Sequence, residues 1–462
     1  MRDSWATSGV DLHLDRSGRR LRAGLEEALR DAVRSGRLAP GLRLPSSRAL
    51  ASDLGLARNT VSEVYGQLVA EGWLVAQQGS GTHVAARPAA LAQLPAPTAQ
   101  PKRPRYDLTA GSPDTSTFPR SAWLSAARRA LSDAPDEALG YGDPRGRPEL
   151  REALADYLAR ARGVHASADR IVICAGFSQA LGLICRALHA RGAKTLAMEA
   201  YGVQQHRHIA KFEGLEIRSL PLDDDGARVH ELDGADAALL TAAHQFPLGV
   251  VLAPQRRSEA VRWAAQTGAW IIEDDYDGEF RYDRQPVGAM QALAPNQVIY
   301  AGTASKSLAP GVRLGWLVIP SALVDEVSEV QALTLRNTSS LDQLTLARFI
   351  TSGGYDRHIR RCRLAYRRRR DRLIAAVQKQ APGVRVSGIA AGLHALLRLP
   401  ADLNEREVVT RAADHGLALE GLSAYAAGEP ADAALVIGYG TPPEHAYTAA
   451  LARLAAVLRG AV

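Results

Sequence analysis

One segment of the sequence cannot belong to a folded core. Residues 86–105 contain five prolines among alanines, glutamines and basic residues, without helical or strand periodicity. Because proline fixes one backbone angle and removes a hydrogen-bond donor, this composition predicts a semi-rigid tether. The 462 residues are also too many for one ordinary core. We therefore expect a domain at residues 10–85, a linker at 86–105 and a larger domain at 106–462.

The composition argues against several classes of protein. The sequence has no uninterrupted apolar run of about 18 residues, so no membrane span is expected. Met1 to Asp15 carries polar and acidic side chains where a signal peptide would be apolar. The three cysteines have no metal-ligand spacing and cannot form a disulfide framework. These features predict a cytoplasmic protein without a metal site.

The positive charge is concentrated at the N-terminus. Residues 1–105 hold 15 basic and 9 acidic residues, a balance of +6, whereas the whole chain carries +7. This asymmetry indicates an anionic partner for the N-terminal part, although charge alone does not separate nucleic acid from a solvated basic surface.

The basic N-terminal part has the pattern of short helices. Between Arg19 and Gly36, apolar residues recur every four positions, as one buried helix face requires. A second helix is expected from Ser46 or Ser47, whose hydroxyl can cap it, to a turn at Gly55. If a third helix begins soon after Gly55, the second and third helices form a pair of short helices joined by a glycine turn.

The third helix is expected to begin near Arg58 and to bury Val61, Val64, Tyr65 and Leu68. Its polar residues Arg58, Asn59 and Thr60 would then face outwards, which is typical of a helix-turn-helix. After it, residues 73–76 and 82–85 can pair as a hairpin, the wing. The alternative is a small helical domain with a surface ribbon.

The motifs of this region resemble those of GntR-type bacterial regulators. The matching residues are Leu44–Arg48, Arg58–Val61, Tyr65, Leu68, Glu71–Gly72 and Gly79–Thr82. The resemblance implies a winged helix that binds double-stranded DNA, with Arg48 and Arg58 on phosphates or base edges and Thr60 on the backbone. It also places the wing tip at Gly81 in the minor groove, and adds Ser46 and Asn59 to the DNA-contacting residues.

The region after Leu108 alternates apolar strands with helices. Strands are expected at residues 171–174, 195–198, 216–220, 237–241, 270–273, 298–300 and 314–319. This alternation predicts an α/β domain with a largely parallel sheet, whose ligands lie at the carboxyl ends of the strands.

Three polar groups fall at those strand ends. Residues 175–179 follow a strand and open an apolar helix, so their backbone amides can bind an anion, although a turn without a ligand is the alternative. Residues 273–277 form a carboxylate cluster, which is costly unless a cation or protonated heterocycle faces it. Lys306 lies on a loop of small and hydroxyl residues, with Arg313 after it. A phosphate anchor, an acid and an amine on one sheet edge predict a pyridoxal phosphate site.

The same residues resemble the fold-type-I aminotransferases over most of residues 107–460. The matching motifs are Tyr141–Gly146, Glu199–Gly202, His244–Gly249, Glu273–Tyr276, Ser305–Lys306 and Arg313–Gly315. With the winged helix in front, the chain resembles the MocR/GabR group of GntR-type regulators, and within it the PdxR-like branch. The resemblance implies a large domain with a mostly parallel sheet, a small C-terminal α+β domain, and a domain-swapped homodimer.

The resemblance also assigns roles to residues. Lys306 would form the internal aldimine, and Asp274 would keep the pyridine nitrogen protonated. Tyr276 would hydrogen-bond the ring hydroxyl and Tyr201 would stack on the ring, with His244 nearby. The phosphate would be held by Ser178, Gln179, Thr303 and Arg313.

Two departures from the family pattern bear on activity. The loop of residues 241–249 reads Thr-Ala-Ala-His-Gln-Phe-Pro-Leu-Gly, without the usual proline and serine. No arginine occurs between Arg411 and Arg453, and Ala424 stands where the family carries the arginine that binds a substrate carboxylate. A neutral residue cannot clamp a carboxylate, which argues against efficient transamination.

We therefore expect a transcription regulator that senses pyridoxal phosphate and controls vitamin B6 synthesis, and not an enzyme. Two alternatives remain: a regulator of the GabR type that senses an amino acid or amine, and an active aminotransferase with an accessory DNA-binding domain.

An arginine-rich helix is expected at residues 359–378. A second nucleic-acid surface is conceivable there, but apolar residues on one side make a solvated or dimer-facing helix the preferred interpretation.

Overall fold

A computed structural model describes residues 21–86, 104–282, 287–428 and 432–460. The chain forms two compact units, residues 1–102 and 103–462. Most of the predicted linker, and Arg19 at the start of the first predicted helix, lie outside the described residues. Among the described residues, no helix is both long and apolar enough to cross a lipid bilayer.

The N-terminal unit is a winged helix, as predicted. Its elements are α1 (Leu21–Arg34), α2 (Ser47–Leu54), α3 (Arg58–Ala70), β1 (Leu74–Gln77) and β2 (Gly81–Val84). The strands pair antiparallel, with Leu74 opposite Val84 and Gln77 opposite Gly81.

Local interactions explain where α2 begins and ends. Ser46 Oγ accepts a hydrogen bond from the Ala49 amide at 3.2 Å, which caps the helix. Gly55 ends it in a left-handed conformation, φ 68°, which glycine adopts without strain. Buried apolar residues of all three helices and both strands form one core, which fixes α3 with its first turn exposed.

The C-terminal unit contains eleven described helices. They are α4 (Arg120–Asp133), α5 (Pro148–Arg162), α6 (Phe177–Ala190), α7 (Gln204–Phe212), α8 (Pro254–Thr267), α9 (Ala304–Ser307), α10 (Val324–Thr334), α11 (Ser340–Thr351), α12 (Gly354–Gln380), α13 (Glu405–Asp414) and α14 (Glu444–Leu458).

Fifteen strands of the C-terminal unit are described. They are β3 (Tyr106–Asp107), β4 (Ile171–Cys174), β5 (Thr195–Glu199), β6 (Glu216–Leu220), β7 (Leu222–Asp223), β8 (Gly226–Ala227), β9 (Ala237–Leu240), β10 (Trp270–Asp274), β11 (Val298–Thr303), β12 (Gly315–Val318), β13 (Arg385–Ser387), β14 (His394–Arg398), β15 (Leu417–Ala418), β16 (Glu420–Gly421) and β17 (Ala434–Gly438).

The large sheet has seven strands in the order β4-β12-β11-β10-β9-β5-β6. Only β12 runs against its neighbours, so the prediction of a largely parallel sheet is confirmed. Alternate residues of β4 enter two different core clusters, Ile171 and Ile173 in one and Val172 and Cys174 in the other. Both faces are therefore covered, and ligand groups can meet only at the strand ends.

The C-terminal part is the predicted smaller α+β region. Its antiparallel sheet has the order β13-β14-β17-β16, and α13 and α14 pack near it. The short strands β3 and β15 pair in parallel, which ties the start of the unit to this region.

Helix α12 is longer than the predicted arginine-rich segment, and one of its arginines is not solvated. Arg369 is 2% exposed and donates to Asp114 Oδ2 at 2.6 Å and to Glu444 Oε2 at 2.9 Å. Asp114 is also 2% exposed. The interpretation as a solvated helix is wrong for Arg369, which joins α12 to the start of the unit and to α14.

Arg369→Met should lower the free energy of unfolding by about 3–5 kcal/mol, because it leaves the Asp114 carboxylate buried without its cation. Urea denaturation followed by tryptophan fluorescence measures the change. Arg368→Met, on the exposed side of the same helix, is the control and should change stability by no more than about 0.5 kcal/mol. Equal effects of the two substitutions would contradict the role of the buried pair.

Candidate functional site

An anion cradle forms where β4 passes into α6. Gly176 has φ 101° and precedes the helix, whose first turn includes Ser178. A Cβ at Gly176 would lie 3.5 Å from Arg313 Nη1 and 3.9 Å from Ser305 Oγ, so glycine keeps the backbone close to both side chains. The free amides of a helix N-terminus, two hydroxyl groups and a guanidinium together suit a phosphate group.

The loop after β11 supplies the other side of the cradle. Thr303 Oγ1 accepts a hydrogen bond from the Ser305 amide at 3.1 Å and caps α9, the short helix that carries Lys306. Arg313 has φ 53°, a left-handed conformation that is rare for residues with a side chain. Ser178, Thr303, Ser305 and Arg313 all line one cavity of about 300 Å³.

The carboxylate cluster at the end of β10 separates into different roles. Glu273 accepts backbone hydrogen bonds from Met290 and Gln291, and Asp275 forms a buried ion pair with Arg162 at 2.7 Å. Asp274 alone faces the cavity. Of the predicted carboxylate cluster, Asp274 is therefore the member that remains to face a cation or a protonated heterocycle.

Asp274 lacks a partner for one of its oxygens. Among the described residues, no group hydrogen-bonds its buried Oδ1. Burial raises the pKa of Asp274 well above its usual value; Lys306 opposes the rise, whereas Asp275 and Asp277 add to it. A protonated ring nitrogen would supply the missing donor and charge, so the site fits a pyridinium ring.

Lys306 lies in the same cavity, in the short helix α9. Its Nζ donates a hydrogen bond to the carbonyl oxygen of Gly111. Burial lowers the pKa of Lys306, against the opposing charges of Asp274 and Asp277. A lysine that loses its proton more readily is better suited to react with an aldehyde.

Tyr276 lines the cavity, whereas His244 lies behind it. The Tyr276 hydroxyl is 3.1 Å from His244 Nδ1, and the same nitrogen is 2.7 Å from Asp277 Oδ2. His244 is therefore placed to orient the tyrosine through a hydrogen bond and is not part of the cavity wall, where we had expected it to meet the cofactor.

Gln179 also does not line the cavity. Its Oε1 accepts from the Ala175 amide at 2.6 Å and its Nε2 donates to Gln331 Oε1 at 3.1 Å. Successive helix residues differ by about 100° in direction, so Ser178 faces the cavity while Gln179 faces away and braces the turn.

Four further charged or titratable residues line the cavity and have no role in the sequence analysis: Glu199, His206, Arg207 and His394. Burial raises the pKa of Glu199 to about 7. Burial, with Lys306 nearby, lowers the pKa of His206 to about 4, so His206 is neutral at pH 7. Glu199 ends β5 within the Glu199–Gly202 motif, and His206 and Arg207 lie in the first turn of α7 just after it, so this motif is the signal that could have identified these three. Tyr201 lines the cavity too.

His244, Asp277 and His394 bring possible metal-ligand atoms within 4.8 Å of one another. His244 Nδ1 is hydrogen-bonded to Asp277, and His394 Nε2 is 3.2 Å from the Pro247 carbonyl oxygen. These hydrogen bonds are enough to explain why the three side chains lie close together.

The residues predicted to contact DNA are spread over the N-terminal unit. Arg48, Arg58, Asn59 and Gly81 are exposed and Thr60 is half-buried, whereas the Ser46 hydroxyl already caps α2. Arg43 was missed by the sequence analysis. Its guanidinium lies beside the wing, 3.3 Å from the position of a Cβ on Gly81, and adds positive charge at the hairpin.

Family models match both units. Residues 21–84 match the model for bacterial regulatory proteins of the gntR family, and residues 104–425 match aminotransferase class I and II. A relative from Corynebacterium glutamicum, the HTH-type pyridoxine biosynthesis transcriptional regulator PdxR, is 34% identical over 91% of this chain and 92% of its own. The probable rhizopine catabolism regulatory protein MocR of Rhizobium meliloti is 32% identical over 90% and 89%.

Solved structures resemble the larger unit. The kynurenine aminotransferase of Pyrococcus horikoshii, crystallised with PMP, has a TM-score of 0.69 and 27% identity over 77% of this chain and 91% of its own. The multiple substrate aminotransferase of Thermococcus profundus has a TM-score of 0.69 and 26% identity over the same shares.

Asp274→Asn should stabilise the cofactor-free protein by about 1–3 kcal/mol at neutral pH, because the amide cannot ionise and therefore avoids the cost of a buried carboxylate. The raised pKa means that folded Asp274 keeps a proton that the unfolded chain has lost above about pH 4. Wild-type stability therefore falls as the pH rises, and the advantage of the variant should grow. Urea denaturation at several pH values measures this difference.

The control is Asp275→Asn, the neighbouring carboxylate that is paired with Arg162 and accepts from the Tyr300 hydroxyl. This variant should be destabilised. A loss of stability in Asp274→Asn as well would show that Asp274 is satisfied in the folded chain.

Proposed function

The chain belongs to the MocR/GabR group of GntR-type transcription regulators, and from this we propose that it is a DNA-binding regulator that holds pyridoxal phosphate at Lys306 and responds to it. The observation that carries the proposal is the convergence of three groups on one cavity: the cradle at Gly176, the carboxyl group of Asp274 and the amine of Lys306. Each fits one part of the cofactor, and they come from strands far apart in the sequence.

The chain's own residues account for how the cofactor would be held. Ser178, Ser305 and Arg313 would bind its phosphate, and Asp274 would hold a proton on its ring nitrogen. Tyr276, positioned by His244, would donate a hydrogen bond to the ring hydroxyl, and Tyr201 would cover one ring face. When bound, the cofactor supplies an aldehyde carbon that accepts an amine. The Lys306 amine would make that bond, which its lowered pKa favours.

The cofactor serves sensing rather than turnover in this proposal. Ala424 lies in a short helical turn, Leu422–Tyr425, and offers no cation to a substrate. The relatives PdxR and MocR are named as regulators. The name of the first also suggests the regulated process, pyridoxine biosynthesis, in which the cofactor itself would be the signal.

We further propose a homodimer in which the winged helices of two chains read two half-sites. Each α3 would enter a major groove with Arg58, Asn59 and Thr60 in its first turn, while Arg48 would contact phosphate and Gly81 the minor groove. The linker would set the distance between the half-sites.

Lys306→Ala should abolish covalent attachment of the cofactor, because no other lysine lines the cavity in the part of the chain that the structure describes. Borohydride reduction followed by peptide mass spectrometry locates the modified lysine. Footprinting upstream of neighbouring genes should change with pyridoxal phosphate for the wild type and not for Lys306→Ala. The exposed Lys379→Ala is the control. Retention of a covalent link in Lys306→Ala would refute the assignment, and a footprint indifferent to the cofactor would refute sensing.

Arg58→Ala should weaken DNA binding and reduce the slope of log affinity against log salt by about 1, as expected on losing one phosphate contact. Fluorescence anisotropy at several salt concentrations measures both. Arg34→Ala removes an arginine of the same unit that is ion-paired with Asp31 and should leave the slope unchanged. Equal slopes for both variants would place Arg58 outside the DNA interface.

A further inference from the structure

One face of α12 carries a row of exposed arginines that the cofactor site does not use. The row spans about 16 Å of the helix axis, since its ends are eleven positions apart and each position adds about 1.5 Å. Its members recur at intervals of three, four and seven residues, which keeps their side chains on one side of a helix. The exposed arginines of this row, the arginine face, are Arg357, Arg360, Arg361, Arg367 and Arg368.

Three other arginines of α12 have roles within the fold. Arg363 donates to the Glu279 carbonyl oxygen at 2.7 Å, and Arg372 pairs with Glu444 at 2.7 Å. Arg369 is buried and joins α12 to α14. The fold therefore accounts for these arginines, whereas it gives the arginine face no such task.

Carboxylates do not neutralise the arginine face. Among the described residues, Arg360, Arg367 and Arg368 make no hydrogen bond or ion pair, and the other two members donate to neutral groups, which leave their charge in place. Of the two acidic residues in α12, Asp356 is already ion-paired and Asp371 lies beyond the last arginine of the face. Like charges at this spacing repel each other, and an anionic partner relieves the repulsion.

The backbone of duplex DNA is the partner that fits this row. A guanidinium binds a phosphate through paired hydrogen bonds, and about 16 Å of duplex carries about ten phosphates, enough for all five arginines. The same chain carries a winged helix, and residues 86–105 are twenty residues that extend at most about 70 Å. DNA held by the winged helix is therefore within reach of the larger unit, which favours DNA over other anionic partners.

We propose that the arginine face of α12 is a second DNA-contacting surface, which binds the phosphate backbone of duplex DNA outside the half-sites that the winged helices read. The proposal rests on the proposed function in that the winged helix brings the DNA. Arginines that contact phosphates carry no sequence information, so this surface adds affinity that depends on salt and on the length of the duplex.

A cross-linking probe identifies what covers the arginine face. Leu364 lies within the face and is 58% exposed, and the three natural cysteines are buried, so Leu364→Cys gives one accessible thiol for a benzophenone maleimide. In the full chain loaded with pyridoxal phosphate, ultraviolet light should cross-link this probe to a mixed-sequence duplex of about 100 base pairs at low salt. Leu293 lies outside α12 and is also 58% exposed. Leu293→Cys is therefore the matched control and should give several-fold less cross-linked DNA.

A triple variant measures the contribution of the face to binding. Replacing Arg360, Arg367 and Arg368 by glutamine should reduce the slope of log affinity against log salt on the same duplex by about 2–3, since each lost phosphate contact removes about 0.9. Fluorescence anisotropy at several salt concentrations gives the slope. The substituted side chains are exposed, so the unfolding midpoint and the absorbance of the cofactor should stay as in the wild type.

The control triple variant has the same change in net charge at three separate places on the larger unit. It should keep the wild-type slope, because its residues do not form a row. The substitutions are Lys211→Gln, Arg262→Gln and Arg406→Gln, at exposed positions of α7, α8 and α13.

Three results would overturn the proposal. Cross-linking of Leu364→Cys to a second copy of the chain in place of DNA would make the arginine face an interface between copies. Absence of cross-linked DNA at this position would leave the face solvated. Equal loss of slope in the two triple variants would assign the effect to net charge. A footprint that responds to pyridoxal phosphate, without a cross-link at Leu364, would refute this inference alone, whereas a cross-link without such a response would refute the proposed sensing alone.

Discussion

The buried ion pair between Asp275 and Arg162 holds the end of β10 in place, and the site depends on it. The Asp275 carboxylate also accepts from the Tyr300 hydroxyl at 2.8 Å, so α5, β10 and β11 are joined at one point. Since successive strand residues point to opposite faces, anchoring Asp275 to one side turns Asp274 and Tyr276 towards the cavity. Gly278 belongs to this arrangement, because a Cβ there would lie 2.2 Å from Asp275 Oδ1.

The sequence predicted the elements of both units because their periodicity is local. The seven strands of the large sheet lie within three residues of their expected ends, and the winged helix within a few. The meeting of the phosphate anchor, the acid and the amine was also predictable, since parallel strands bring their carboxyl ends to one edge of the sheet. The direction in which individual side chains point was not predictable. Ser178 and Gln179 are adjacent, yet only the first faces the cavity, and His244 supports Tyr276 rather than meeting the ligand.

Long-range partners explain the other differences. Arg369 is one of many arginines on α12, and its burial depends on Asp114, 255 positions earlier. Its spacing from Tyr366 and Leu373 places it on the buried face of the helix, but the acidic partners that make this burial possible cannot be read from the helix itself. Arg207 was missed for a similar reason: α7 is short and polar, and only the cavity shows that its arginine faces inward. The absence of an arginine near Ala424 was visible in the sequence, but the position of Arg207 at the cavity wall was not.

A sensor needs groups whose free energy depends on the ligand, because a ligand shifts an equilibrium only by its differential affinity for the two states. Satisfied groups, such as Asp275 with Arg162, contribute equally with and without ligand. Asp274 does not, since its Oδ1 is buried and has no hydrogen-bond partner among the described residues. The binding of a ligand that donates a hydrogen bond to this oxygen is therefore coupled to the stability of the folded chain.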